Sequence, residues 1–223
     1  EWEPLRQRYP RLPMQYIPNA IDTRLYADLP RPREGAESPA RVLYLGHMGG
    51  DKGTFDLLEA ARRLIVNGCP PFELVLHGEA LVAGEAEAVR ERAANPDLAG
   101  VVSVRSPVYD QAKKDAFAAA DIMVLPSYHE GMPMSILEGM AAGLAVVATP
   151  VGGIVDEVAD GQTGCLVPAG QPERLAAALE SLIRDRELRL RMGAAGREKA
   201  RAEFDIEIKA GAILAFCQKI HAG

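Results

Sequence analysis

The sequence lacks the features that mark several classes of protein. It has no run of 18 or more apolar residues, so it predicts no transmembrane helix. Its three cysteines, Cys69, Cys165 and Cys217, show neither a CxxC pair nor metal-ligand spacing, which predicts reduced core thiols in a cytoplasmic protein. There is no basic excess either: the net charge of −6 argues against general nucleic-acid binding. A small anionic ligand is still allowed, because one cation and a few oriented N–H groups can hold it.

The chain does contain a regular alternation of short apolar runs and helical segments. The runs lie at residues 42–46, 72–77, 101–104, 122–125, 145–148 and 164–167. Nearly continuous apolar strands are typical of sheets that are buried on both faces. The pattern therefore predicts an α/β fold with a doubly wound, mostly parallel six-stranded sheet. Ligands of such sheets bind outside the carboxyl ends of the strands, so the loops that follow these strands are expected to line one crevice.

Composition divides the chain into three segments. Residues 1–37 are rich in Pro, Arg and Glu with little periodicity, and we interpret them as a linker or crossing segment that packs on the domain. Residues 38–204 carry the alternating pattern and form the predicted domain. One of its helices, over residues 52–67, is predicted to place Phe55 on its apolar face. Residues 205–223 form the third segment, a predicted C-terminal helix.

A glycine-rich loop, Gly46–Gly53, joins the first strand to the first helix of the domain. It has neither the GxGxxG pattern of a dinucleotide site nor the GxxxxGK[ST] pattern of a P-loop. Glycines allow a ligand to approach the backbone closely, and Lys52 stands where the helix begins, so a cation and free helical N–H groups would together form a phosphate site. The residues leave a second interpretation open, a glycine-rich turn with a solvated lysine.

A second loop follows the fourth strand and leads into a helix. Pro133 suits the first position of that helix, and the free N–H groups near Met134 and Ser135 would point at an anion. Glu130 lies in the loop and Glu138 about one turn into the helix, so both carboxylates could face the crevice. Glu138 could accept hydrogen bonds from vicinal hydroxyls, as acidic residues do with ribose, or could simply favour the helix dipole.

Taken in order, these stretches resemble the C-terminal domain of group 1 (family 4) retaining glycosyltransferases, which have the GT-B fold. The resemblance covers about residues 17–204, and its most specific part is a Glu-x7-Glu segment within an ordered frame. The frame reads Pro126-Ser127, Glu130-Gly131, Pro133, Leu137-Glu138, Met140-Ala141, Gly143, Val146–Thr149, Gly152-Gly153, Glu157 and Asp160–Pro168, preceded by Pro18-Asn19 and Asp22.

The resemblance implies a role for each matching residue. Glu138 would bind the donor's ribose hydroxyls, Glu130 would lie near the donor sugar, and Lys52 would neutralise charge that develops on the leaving diphosphate. Lys52 and Glu130 are thus the expected catalytic residues. Other expected donor contacts are His47, Gly49, Gly78 and Glu79 beside the nucleotide, Val108 beside the base, and Gly131, Met132, Pro133, Met134 and Ser135 at the sugar and diphosphate. No metal or other cofactor is expected to be obligatory.

One position departs from the family pattern. The family usually carries an arginine five residues before the lysine, where this chain has His47. A charged, bidentate group is thereby replaced by one that titrates near neutral pH. We therefore expect donor affinity to fall as the pH rises from about 6 to 8. The alternative is that His47 only lines the pocket and that Lys52 suffices.

The resemblance also implies a missing partner domain. In GT-B enzymes the acceptor site belongs to an N-terminal domain, for which this chain has no room, so the chain alone should hold the donor but transfer slowly or not at all. The helix in residues 205–223 would return toward that domain, and its apolar face is otherwise left exposed or paired with a second copy. Sugar, polysaccharide or lipid-linked acceptors are common in the family, which allows peripheral membrane association of a full-length protein.

Two other functions remain open at this stage. A nucleotide-sugar-binding regulatory module without transfer activity is compatible with the loss of arginine at His47. A nucleotide-sugar epimerase of the same fold is a further alternative, although the Glu-x7-Glu frame argues against it. A plain NAD-binding domain is disfavoured because no GxGxxG follows the first strand.

Overall fold

In the computed structural model, which describes residues 3–29 and 38–221, six short strands form one parallel sheet. The strands are β1 (Ala40–Leu45), β2 (Phe72–His77), β3 (Val102–Arg105), β4 (Ile122–Leu125), β5 (Ala145–Ala148) and β6 (Gly164–Leu166). Their order across the sheet is β3-β2-β1-β4-β5-β6. Every residue of β4 and β5 is buried, as expected for strands covered on both faces. The predicted fold class is confirmed, and every strand pair in this sheet is parallel.

Helices connect the strands and flank the sheet. They are α1 (Glu3–Arg8), α2 (Thr54–Val66), α3 (Glu85–Ala93), α4 (Asp110–Ala118), α5 (Met134–Ala142), α6 (Ile154–Glu157), α7 (Pro172–Arg184), α8 (Arg186–Glu203) and α9 (Ile206–His221), with a 3₁₀-helix at Thr23–Tyr26. α2 packs against α7, and α5 packs against α8. The sequence pattern predicts the same bounds for β2, β4, β5 and α5, and the predicted C-terminal helix in residues 205–223 is observed as α9.

The segment before the domain is partly ordered against it. Ile21 forms an isolated bridge with Asp205, and the Thr23 hydroxyl donates a hydrogen bond to Asp205 Oδ2 at 2.5 Å. Tyr26 is buried, and its ring lies edge-to-face on Phe117 with 5.9 Å between centroids. These contacts attach the 3₁₀-helix to the domain. Residues 30–37 of the predicted linker, and the termini 1–2 and 222–223, lie outside the described residues.

Two predictions about buried side chains are wrong. Phe55 is 39% exposed, because the face of α2 that meets the sheet is built from Leu57, Leu58 and Leu64. Cys217 is exposed and is not a core thiol, because α9 buries none of its residues. Cys69 and Cys165 are partly buried free thiols, and burial raises the pKa of each.

Both ends of the described chain present apolar side chains to solvent. α1 buries no residue, and Leu5 is 54% exposed. On α9, Ile206, Ile213 and Ile220 are each about half exposed. None of the helices in residues 3–29 and 38–221 is both long and apolar enough to cross a membrane.

Candidate functional site

The loops that follow β1 and β4 meet at the point where the strand order reverses. β1 and β4 are neighbours in the sheet, yet the chain continues from β1 to one side and from β4 to the other. In doubly wound sheets a ligand crevice lies outside the carboxyl ends of the strands at such a point. The glycine-rich loop follows β1 and the first glutamate of the pair follows β4, so the topology brings the two predicted loops together.

A lysine and a glutamate join these two loops directly. The Lys52 ammonium donates a hydrogen bond to Glu130 Oε1 at 3.0 Å and another to the His129 carbonyl at 3.0 Å. Both side chains are largely buried, with 17% and 15% of their surfaces exposed. The two predicted catalytic residues are therefore in contact, and the lysine's charge is balanced by the glutamate's.

Two glycines allow the loops of the site to come so close: Gly53 in the loop after β1 and Gly152 in the loop after β5. Gly53 has a φ of 65°, and a Cβ there would lie 2.1 Å from the Pro126 carbonyl oxygen. Gly152 has a φ of 55°, and a Cβ would lie 1.9 Å from the Glu130 carbonyl oxygen. A side chain at either position would need both a strained backbone and a displaced neighbour. Gly152, from the Gly152-Gly153 pair of the sequence frame, thus allows close packing against the backbone of Glu130.

The second glutamate of the pair lies on α5 and is 7% exposed. Its Oε1 accepts a hydrogen bond from the Lys113 ammonium at 2.5 Å. Lys113 belongs to α4, which packs against α5. Burial, the charge of Glu138 and a hydrogen bond to Glu138 raise the pKa of Tyr26, which places the tyrosine hydroxyl beside the same carboxylate. Neither partner of Glu138 was predicted from the sequence.

A cavity of about 180 Å³ lies at the carboxyl ends of β1, β2 and β3. Its lining includes four residues predicted to contact the donor, His47, Gly78, Glu79 and Val108. The other lining residues are Leu45, Gly46, His77, Pro107 and Tyr109. His77 is oriented by the Ser106 carbonyl, 3.0 Å from its Nδ1. One face of this cavity is apolar and the other offers polar groups, as in many ligand sites.

Hydrogen bonds to Thr54 and Glu85 also hold the glycine-rich loop in place. Gly49 is buried, its N–H donates to Thr54 Oγ1 at 3.1 Å, and the Gly50 N–H donates to Glu85 Oε1 at 3.1 Å. The expected donor contact at Gly49 remains a prediction, although this amide already bonds within the loop. His47 is exposed at the mouth of the cavity, and its carbonyl accepts a hydrogen bond from the buried Tyr44 hydroxyl.

The segment from Gly131 to Ser135 leads from this loop into α5. The helix begins at Met134 with Pro133 as its N-cap, and the Ile136 N–H bonds to the Pro133 carbonyl at 3.1 Å, so the N–H groups of Met134 and Ser135 are the ones left without a partner within the helix. The preceding turn is fixed by Asn19, whose Nδ2 donates to the Met132 carbonyl at 2.8 Å. Asn19 belongs to the Pro18-Asn19 pair of the sequence frame, and this hydrogen bond gives the asparagine a structural role.

A third carboxyl lies behind the site without a partner. Glu157 is fully buried, and neither of its oxygens has a hydrogen-bond partner. Burial, with the charges of Glu130 and Asp156, raises the pKa of Glu157 to about 9 despite the opposing effect of Lys199. Glu157 is therefore uncharged at neutral pH. Among the residues that the structure describes, no cluster of three or more His, Cys, Asp or Glu is placed to hold a metal ion.

Comparison with known proteins shows the family of the chain. The sequence profile described as "Glycosyl transferases group 1" matches residues 28–199. Phosphatidyl-myo-inositol mannosyltransferase of Mycolicibacterium smegmatis is 34% identical over 178 residues, which is 78% of this chain and 44% of that protein. The chain thus spans less than half the length of that relative.

Solved structures show the same fold. Sucrose-phosphate synthase from Thermosynechococcus elongatus matches with a TM-score of 0.80 and 26% identity, over 99% of this chain and 56% of that one. HepE of Anabaena, in complex with UDP and glucose, matches with a TM-score of 0.78 and 21% identity, over 92% of this chain and 57% of that one. These likenesses confirm the predicted GT-B type of domain.

Proposed function

Because the chain belongs to the group 1 glycosyltransferases, we propose that its crevice binds a nucleotide-diphosphate sugar and serves as the donor half of a retaining hexosyltransferase. The observation that carries this proposal is the contact of Lys52 with Glu130 at the same edge of the sheet as the cavity lined by His47, Gly78 and Glu79. A cation, two carboxylates and the start of a helix surround one crevice. This combination suits a ligand that is anionic at its diphosphate and rich in hydroxyls at both ends.

The donor's parts can be assigned along the crevice. The base occupies the cavity lined by Gly78, Glu79 and Val108, and the ribose hydroxyls bond to Glu138. The diphosphate lies between Lys52 and the first N–H groups of α5. The sugar then lies against Glu130 and Gly131, where a carboxylate and a backbone amide can orient its hydroxyls. HepE, which has the same fold, is known in complex with UDP and glucose.

Charge stabilisation is the chemical contribution of this half. As the bond between sugar and diphosphate breaks, negative charge grows on the leaving phosphate oxygens. Lys52 offers a fixed positive charge there, and it can exchange part of its contact with Glu130 for the phosphate. We propose that this lysine replaces an obligatory metal, that the acceptor binds to a domain outside this chain, and that the sugar keeps its anomeric configuration. A cytoplasmic location remains part of the proposal.

Calorimetric titration of the chain with UDP-, GDP- and ADP-sugars tests donor binding. We expect one donor to bind, with affinity unchanged by EDTA. Glu138→Gln should weaken that donor about ten- to a hundredfold, because a hydrogen bond to a charged group contributes about 1.5–3 kcal/mol. Glu87→Gln, an exposed carboxylate change on α3, is the matched control and should leave affinity unchanged. Failure of all three donors to bind would overturn the proposal.

The stereochemical part needs the complete enzyme. Proton NMR of the first product formed from an α-linked donor should show an α-linked sugar, and a β-linked product would contradict retention. Lys52→Met in the same protein should reduce kcat more than it raises KM, since its charge acts mainly on the transition state.

A further inference from the structure

We propose that Lys113 and Tyr26 are positioning residues that hold the Glu138 carboxylate in the orientation required by the two ribose hydroxyls of the donor. The inference rests on the proposed function and makes it more specific. It also gives a role to two residues that no motif of the sequence singled out.

The contact between Lys113 and Glu138 is the first observation. The ammonium lies 2.5 Å from Glu138 Oε1, and only 10% of the glutamate side chain is exposed. A carboxylate in so little water is costly unless a charge or hydrogen bonds compensate it. Lys113 supplies that compensation before any ligand arrives, and the remaining acceptor positions of Glu138 are free to bond to hydroxyls.

Tyr26 approaches the same carboxylate from another element. Its 3₁₀-helix packs against α5 and is anchored to the domain through Thr23 and Asp205. The Tyr26 ring is fixed edge-to-face on Phe117. Its hydroxyl stays protonated at neutral pH, because burial and the neighbouring Glu138 raise the pKa of Tyr26. Tyr26 is therefore a rigid neutral donor, while Lys113 is a charged one.

The number of acceptor positions then matches the ligand. An ionised carboxylate offers about four lone-pair positions on its two oxygens. Lys113 uses one of them and the Tyr26 hydroxyl lies beside the carboxylate, which leaves at least two for a vicinal pair of hydroxyls. A ribose supplies both hydroxyls, whereas a 2′-deoxyribose leaves one acceptor position unpaired, and an unpaired buried acceptor weakens binding.

The placement of Lys113 also connects the two halves of the donor site. α4 begins at Asp110, directly after Pro107, Val108 and Tyr109 of the base cavity. The ion pair therefore ties the helix that follows the base cavity to the helix that carries Glu138. Base and ribose subsites are fixed relative to each other by one contact.

The test measures discrimination between ribose and deoxyribose. The chain is titrated with UDP, GDP and ADP, and the tightest of these is compared with its 2′-deoxy counterpart. Wild-type protein should prefer the ribonucleotide by about tenfold or more, as expected for one lost hydrogen bond to a charged group. Lys113→Met and Tyr26→Phe should weaken the ribonucleotide more than the deoxynucleotide, which bonds to Glu138 through one hydroxyl only, so that the preference shrinks. Lys113→Arg should restore most of it.

Lys114→Met is the matched control, because Lys114 is the adjacent lysine of α4 and lies near Asp22 instead. It should keep the full preference for ribose. Equal weakening of both nucleotides in Lys113→Met, or no weakening of either, would overturn the positioning role while leaving donor binding intact. If the wild-type chain binds none of the three diphosphates, the proposed function itself fails, and the ribose assignment fails with it.

A measurement without nucleotide tests the pair separately. Urea unfolding of Lys113→Met, Glu138→Gln and the double variant forms a mutant cycle. If the pair is formed, the glutamate change should lower stability less in the Lys113→Met background than in wild type. Strictly additive effects would contradict the contact, whatever the nucleotide titrations show.

Discussion

At the scale of single residues, the carboxyl groups of the site differ in whether a positively charged side chain contacts them. Glu130 is paired with Lys52 and Glu138 with Lys113, so each of these partly or largely buried carboxylates faces one ammonium. Glu157 is buried more deeply and has no such partner. Burial without compensation favours the neutral acid, which explains its pKa of about 9. The three glutamates of one sequence frame thus differ in charge because their surroundings differ.

The neutral Glu157 carboxyl should make stability depend on pH. Above its ordinary pKa of about 4.3 the unfolded carboxyl loses its proton, while the folded one keeps it until about pH 9. Folding then takes up a proton, so stability should fall by up to about 1.4 kcal/mol per pH unit across this range. Glu157→Gln removes the titrating carboxyl group and should flatten the dependence of stability on pH. Urea unfolding from pH 5 to 9 measures both slopes, and equal slopes would contradict the prediction.

His47 should make donor binding sensitive to pH. It lies exposed at the cavity mouth, where a protonated ring can contact a phosphate. Wild-type affinity should therefore decrease as the pH rises from about 6 to 8, as predicted from the sequence. His47→Arg should bind the donor about tenfold more tightly at pH 8 and show little pH dependence, because a charged hydrogen bond is kept. Calorimetry at several pH values measures this, and a flat wild-type curve would rule it out.

Among the elements, the loops at the carboxyl ends of β1 and β4 define the site. Their contact depends on the absence of a side chain at Gly53, and the close approach of the loop after β5 to Glu130 depends on its absence at Gly152. α5 was predicted with its observed bounds because its Pro133 start and apolar sequence are local signals. α6 and the 3₁₀-helix were not predicted, because each has only four residues, which is too short for a helical periodicity of apolar residues to be recognised.

Substitution of two glycines separates strain from steric exclusion. Gly53 and Gly68 have φ values of 65° and 68°, but nothing lies within 4 Å of a Cβ at Gly68. Gly68→Ala should therefore lower the free energy of unfolding by about 1–2 kcal/mol, from backbone strain alone. Gly53→Ala should lower it by about 2–5 kcal/mol, because overpacking against Pro126 adds to the strain. Equal losses in urea unfolding would show that the loop contact is not tight.

For the chain in its entirety, the exposed apolar face of α9 and the exposed Leu5 of α1 are surfaces that the described domain leaves uncovered. These faces belong to the two ends of the described chain, and the chain spans less than half of the mannosyltransferase it resembles in sequence. The proposed partner is the acceptor-binding domain of the complete enzyme. In the isolated chain, the same faces are available to a second copy.

Self-association through α9 is the expected behaviour of the isolated chain. Ile206, Ile213 and Ile220 recur every seven residues and are 45%, 50% and 47% exposed, so they form one stripe. The sedimenting mass should rise with concentration, and Ile213→Glu should keep the chain monomeric because it buries a charge in the pairing face. Gln218→Glu adds the same charge beside the stripe and should still associate. A wild-type chain that stays monomeric throughout would contradict the prediction.

The sequence by itself determined the strand and helix pattern, the fold class and the Glu130–Glu138 pair, because apolar periodicity and motif spacing are local properties of the chain. Only the tertiary structure decided which groups face these carboxylates. Lys52 and Glu130 are 78 positions apart, and Lys113 and Glu138 are 25 apart. Such contacts follow from strand order and helix packing, which bring distant side chains together and determine how deeply each is buried.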